Sequence, residues 1–136
     1  MSAIFYPVVA LVALTFAVLL LIPYARFRAG YAGRVKVKDF RYGESANVPA
    51  DVSLPNRNLM NLLETPLLFY VVCIALFVTG TVDSVALWLA WAYVALRAVH
   101  SLIHLTYNNV YHRLGAYAAS IAVLLALWVR FALTLK

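Results

Sequence analysis

The chain has 136 residues, of which 65% are hydrophobic and only 12% charged, with a formal net charge of +6. An ordinary soluble domain is close to half apolar and a quarter charged. One soluble domain of this length could not bury so much apolar surface, which excludes a disordered chain, a solenoid with a polar exterior and a nucleic-acid-binding module, and indicates a small polytopic membrane protein.

The first apolar stretch, Ala3 to Ile22, is uncharged over 20 residues. That is enough for about 30 Å of helix. It lacks a basic leader region, is too long for the core of a signal peptide and has no small-x-small site close behind it, so it reads as a retained span. The predicted helix covers about 3–28. The second apolar stretch runs from Thr65 to Val82, in a predicted helix of about 56–80. Pro66 removes one backbone bond there and predicts a kink near Leu62 to Pro66. A third helix is predicted over about 84–107 and a fourth over about 112–134. The expectation is all-α: a single domain over 1–136, built as an integral membrane four-helix bundle.

Charge sets the topology. Arg26, Arg28, Arg34, Lys36, Lys38, Arg41 and Arg57 supply seven of the eleven positive residues, and Arg113 lies in the turn between the third and fourth helices. The turn at Gly80 to Asp83 has none. By the positive-inside rule the 29–55 loop and the 113 turn are cytoplasmic, and both termini lie on the opposite side. The basic balance is therefore an orientation signal, and no nucleic-acid partner is expected. The loop is long for a connector, and Gly30, Gly33, Gly43, Pro49 and Pro55 punctuate it. Val35 to Lys38 alternates, which fits either a short strand or an extended lid. The whole loop equally fits a basic strip on anionic headgroups.

Polar groups inside predicted spans are costly in hydrocarbon, so each calls for a partner or a role. Arg57, Asn61 and Glu64 share one face of the second helix at i, i+4 and i+7. Arg97, His100, His104 and Asn108 form a stripe on the third. Glu64 and Arg97 each lie ~14–15 Å from the cytoplasmic end of their helices. That predicts a Glu64–Arg97 ion pair, with Asn61 level with His100 and Arg57 level with His104. Together they would form a polar cleft open to the cytoplasm, fit for a polar or anionic ligand. The plainer reading is interhelical packing, in which polar side chains satisfy one another and fix the register. Arg113, Arg26 and Arg28 carry two readings as well, ligand contact or topology anchor. His100 and His104 lack a metal-site context and sit beside Arg97, which disfavours a cation. Cys73, the one cysteine, lies among aliphatic residues and reads as packing. Gly115 with Ala119, and Ala118 with Ala122 and Ala126, predict close backbone approach by the fourth helix, in a bundle or an oligomer.

Four short spans, Arg57-x3-Asn61-x2-Glu64 opening the second, Arg97-x2-His100 in the third and an Arg opening the fourth resemble the MAPEG family, the membrane-associated proteins of eicosanoid and glutathione metabolism. The resemblance extends over nearly the whole chain in layout, with its motifs between Arg57 and Arg113. It implies a homotrimer with glutathione as co-substrate between neighbouring subunits near the cytoplasmic face. It further implies that Arg57, Asn61, Glu64, Arg97 and His100 hold the tripeptide, with His104 on the same stripe, that Arg113 stabilises the thiolate and that Arg26 or Arg28 adds a basic contact. The implied activity is transferase or peroxidase chemistry on lipophilic small molecules arriving from the bilayer. His104 stands where eicosanoid branches have Tyr, with Tyr107 and Tyr111 nearby. Leu114 stands where one branch has Ser. These differences argue against an eicosanoid substrate. A non-catalytic binding or regulatory membrane protein, or a small transporter using His100 and His104, fits the same polar residues.

Overall fold

With no water in a bilayer core, a spanning segment must satisfy its backbone groups internally, and the uninterrupted apolar runs of this chain can do so only as helices. The computed structural model describes residues 1–135. A short 3-10 turn, Ser2–Ile4, leads into α1 (Phe5–Tyr31). A second 3-10 turn, Val37–Phe40, lies in the loop. Then come α2 (Ala50–Glu64), α3 (Pro66–Val78), α4 (Ser84–Leu105) and α5 (Val110–Leu133). Because α2 and α3 form one continuous span, four helices are long and apolar enough to cross a membrane, and no strand is present among the described residues. The protein is a multi-pass, all-helical integral membrane protein.

The last two spans fall within about two residues of their predicted ends. The second begins six residues earlier than expected, at Ala50 rather than 56. Pro55 argued for a later start, yet a proline this close to a helix start removes only one internal bond. Burial of Val52, Ser53 and Pro55 offsets that loss. The expected interruption is found at Thr65, whose dihedrals stay helical (φ −67°, ψ −33°) ahead of Pro66. Its hydroxyl lies 3.3 Å from the Tyr93 hydroxyl, which ties the break to α4.

The core runs the length of the bundle: Leu11 and Val18 from α1, Leu62, Phe69 and Leu76 from α2 and α3, Ala86, Ala90 and Tyr93 from α4, and Leu124 and Leu127 from α5. Phe69 and Tyr93 stack with centroids 4.7 Å apart. Cys73 is fully buried, the packing role its aliphatic surroundings predict. The least hydropathic span is α4 (1.4 against 1.9–2.7), and it is also the most buried, so the polar helix is the one the others enclose. The small-residue stripe of α5 is turned the other way. Gly115, Ala118, Ala119, Ala122 and Ala126 are all exposed on the outside of the subunit, while Ser120, Leu124 and Leu127 face in.

The 29–55 loop is neither strand nor open lid. Lys36 is extended, but the chain then turns into the 3-10 segment because the buried Asp39 carboxylate accepts from the Lys36 N–H (2.8 Å) and from the Ser45 hydroxyl (3.5 Å). Arg34 grips Asp51 with two bonds of 2.9 and 2.7 Å, and Arg26 bonds Glu44 at 3.2 Å. A small cluster of Ala29, Val35 and Val52 seals the loop onto α1 and α2.

At the other end of the bundle, Asp83 caps α4 by accepting from the Ala86 N–H at 2.8 Å and also pairs with Arg130 near the end of α5. The Arg130 guanidinium and the Ala86 N–H hold the Asp83 carboxyl below its usual range. A group depressed in this way stabilises the fold fully above its unfolded value, near 4, and loses that contribution as pH falls through the lower folded value. Asp83→Ala should lose the cap as well, about 1 kcal/mol. Asp83→Asn should keep the cap and flatten the acid limb. Thermal unfolding in detergent from about pH 6 to about pH 3 checks both.

Candidate functional site

The inward face of α4 carries four polar side chains, Arg97, His100, Ser101 and His104, all buried. Arg97 is 0% exposed. Its Nη2 donates to the backbone carbonyl of Asn61 at 2.9 Å, and its guanidinium lies 5.7 Å from the Tyr117 ring of α5. Its Nε and Nη1 have no hydrogen-bond partner among the described residues. One turn on, the Ser101 hydroxyl donates to Asn58 Oδ1 at 3.2 Å, with Asn58 fully buried. The rings of His100 and His104 meet edge-on at 5.9 Å, and His100 lies the same distance from Tyr117. Nδ1 of both histidines is buried without a partner among the described residues. These groups form a polar layer enclosed by α2, α4 and α5.

Arg57, Asn61 and Glu64 do share one face, as their spacing predicts, but that face is the outside of the subunit. Arg57 and Glu64 are exposed and Asn61 is partly so. The expected Glu64–Arg97 ion pair is not formed: Arg97 takes the Asn61 carbonyl, and neither Glu64 nor Arg57 makes a salt bridge among the described residues. The register between α2 and α4 accounts for this. The contacts Asn61–Arg97 and Asn58–Ser101 set α2 about three residues away from the alignment that depth alone suggested. Asn61 is thus level with Arg97 rather than His100. What turns the helix is the stripe Pro55, Asn58, Leu62, Pro66 and Phe69, all buried. Asn58 was not among the residues that spacing singled out. Its signal was available, since it is the one amide on that otherwise apolar stripe.

The structure therefore divides the candidate residues. Arg97, His100 and His104 lie inside the subunit; Arg57, Asn61 and Glu64 lie on its surface; Asn61 touches both groups through its carbonyl and its side chain. Three further arginines lie at the loop-side end of the bundle. Arg26 is held by Glu44, with its guanidinium 4.6 Å over the Phe40 ring. Arg28, on another side of α1, lines a recess of about 260 Å³ with Tyr24, Arg34 and Asp51. Arg113, half-buried in the first turns of α5, donates to Asn108 Oδ1 at 2.9 Å. Asn108 itself has φ +47°, a left-handed conformation that asparagine tolerates. Asn109 caps α5 by accepting from the Tyr111 and His112 N–H groups, so Arg113 stands beside the positive end of the helix dipole. The arrangement favours an anion there. Tyr107 and Tyr111 are exposed, and the Tyr107 hydroxyl lies 2.9 Å from His112 Nδ1. No group of three or more His, Cys, Asp or Glu residues is placed to hold a metal among the described residues.

The chain matches the model of the MAPEG family over residues 4–133 and belongs to that family. No curated protein and no solved structure matches it. The family includes glutathione transferases and peroxidases, and some of its members are non-catalytic.

The Asn58–Ser101 bond joins α2 to α4 at the layer that also seats Arg97. Unfolding of Asn58→Ala, Ser101→Ala and the double variant in detergent should give a coupling of about 0.6 kcal/mol, the usual worth of one interhelical hydrogen bond in a membrane protein.

Proposed function

We propose that this MAPEG protein is a glutathione-dependent membrane transferase or peroxidase that activates the glutathione thiol for attack on lipophilic electrophiles or hydroperoxides. The observation that carries the reading is the outward stripe of Arg57, Asn61 and Glu64. By length Glu64 is near the middle of a 29-residue span, and it faces out with no ion-pair partner among the described residues of its own subunit. A charged side chain turned to lipid at that depth costs roughly 3 kcal/mol, so the stripe calls for a polar cover. A neighbouring copy with a polar ligand between the two supplies one. The exposed small residues of α5 offer a second surface for close helix approach. Both support a homo-oligomer, and we take the homotrimer of the family as its form.

The residues suit the ligand. Glutathione carries two carboxylates and one ammonium. Arg57, with Arg26 or Arg28 at the same end of the bundle, offers guanidinium forks to carboxylates. Glu64 offers an acceptor to the ammonium, and the Asn61 amide can bond the peptide. The inner layer supports this stripe from behind, since Arg97 fixes the Asn61 backbone. In this reading Arg113 is the catalytic residue. A fixed guanidinium beside a helix N-terminus favours a thiolate over a thiol. In conjugation the sulfur lone pair forms the new S–C bond, the leaving group takes its bonding electrons and the thiol proton goes to solvent at the cytoplasmic face. The lipophilic partner arrives from the bilayer, and the protein holds the two in place.

The test uses protein purified in detergent. Equilibrium dialysis measures glutathione binding, ultraviolet absorbance measures thiolate, and conjugation to an aryl halide measures turnover. Arg57→Ala and Glu64→Ala should each weaken binding about tenfold or more, the loss of one charge-assisted contact. Arg113→Ala should keep most of the binding and lower the thiolate fraction about tenfold, one pKa unit of lost stabilisation. Absence of glutathione binding by the wild type would refute the proposal. Unchanged thiolate in Arg113→Ala would remove that residue from its role.

A further inference from the structure

A cavity of the subunit lies away from the polar stripe, between the end of α1 and the loop. Its volume is about 690 Å³. Pro23, Phe27 and Gly30, spaced i, i+4 and i+7, form one wall, and Val37 and Phe40 of the loop form the other. Lys36 and Arg26 are the charged residues in its lining.

Its depth follows from helix length. The 27 residues of α1 extend about 40 Å, against roughly 30 Å of hydrocarbon. The last two turns, which hold Phe27 and Gly30, therefore emerge at headgroup level, while Pro23 remains at the hydrocarbon edge.

The charge around the cavity is unbalanced. Every carboxylate of the loop is already engaged: Glu44 by Arg26, Asp51 by Arg34 and Asp39 by the Lys36 N–H and Ser45. Arg28, Lys36, Lys38 and Arg41 have no carboxylate partner among the described residues. An apolar groove with one uncompensated cation in its lining, Lys36, at the boundary between hydrocarbon and headgroups, complements a molecule with an acyl chain and an anionic head. A soluble anion would leave the apolar walls uncovered, and a second copy docking through this loop would bring like charge against like.

We propose that this groove is a binding site for an anionic phospholipid, with one acyl chain along the Pro23–Phe27–Gly30 face of α1 and the phosphate against Lys36. The site holds a lipid beneath the loop that connects the first two spans; it shares only Arg26 with the glutathione reading, and its test reads retained lipid rather than glutathione.

The probes are dioleoylphosphatidylglycerol and dioleoylphosphatidylcholine, each added to the full chain in detergent, with retained lipid read by native mass spectrometry. The wild type should retain the anionic lipid about fivefold better than the zwitterionic one, the scale of one lysine at an anionic surface. Lys36→Glu, at an exposed loop position, should abolish that preference. A Cβ at Gly30 would meet nothing within 4 Å. Gly30→Leu should therefore fold, fill the groove and lose both lipids with its thermal stability kept. Equal retention of the two lipids by the wild type would overturn the proposal, as would undiminished retention in Gly30→Leu. Dissociation of an oligomer by Gly30→Leu would also overturn it, because a second copy would then be the occupant.

Discussion

The hydrogen bond from the buried Arg97 side chain to the backbone carbonyl of Asn61 sets how the second span meets the third. In a membrane interior the apolar effect does not discriminate between helix faces, because lipid tails are as apolar as leucine. Packing and polar satisfaction then decide rotation and register. Arg97 cannot reach water from where it sits, and its nearest acceptor is a carbonyl on the facing helix. That contact, with Asn58 to Ser101 below it, holds α2 in the rotation that turns Arg57 and Glu64 outward. The outward stripe proposed to meet glutathione is thus oriented from inside the subunit.

The division of labour between the two polar groups follows. The inner layer of Arg97, His100, His104, Asn58 and Ser101 is incompletely satisfied on its own, with Arg97 Nε and Nη1 and both histidine Nδ1 atoms lacking partners among the described residues. It is enclosed by three spans and orients the backbone of Asn61. The outer stripe is exposed and chemically open. A buried cation without a carboxylate beside it is costly in a low-dielectric interior, so the layer is a constraint the rest of the bundle must accommodate. The greater burial of α4 compared with every other span is that accommodation.

The loop-side end is organised by different physics. There water and headgroups are within reach, and ion pairs at the surface hold a loop that has little regular structure. The buried Asp39 shapes the 3-10 turn, two arginine–carboxylate pairs fasten it, and a few apolar side chains seal it. The leftover positive charge is then an outward property of the loop, available to a lipid surface, rather than a demand of the fold.

Composition and apolar run length determined most of the architecture, because the bilayer admits only self-satisfied helices and about twenty apolar residues are needed to cross it. The four spans, the interruption ahead of Pro66 and the shared face of Arg57, Asn61 and Glu64 were legible for that reason, and the motif spacing led to the family. Periodicity places residues on a common face of one helix without saying which way that face turns. Depth counting, in turn, aligns two helices only to within a turn. The outward orientation of the Arg57 stripe, the missing Glu64–Arg97 pair, the role of Asn58 and the early start at Ala50 were therefore decided by tertiary packing. There the burial of Val52, Ser53, Pro55 and Leu62 and the reach of Arg97 to a carbonyl outweighed a pairing that charge and spacing alone favoured.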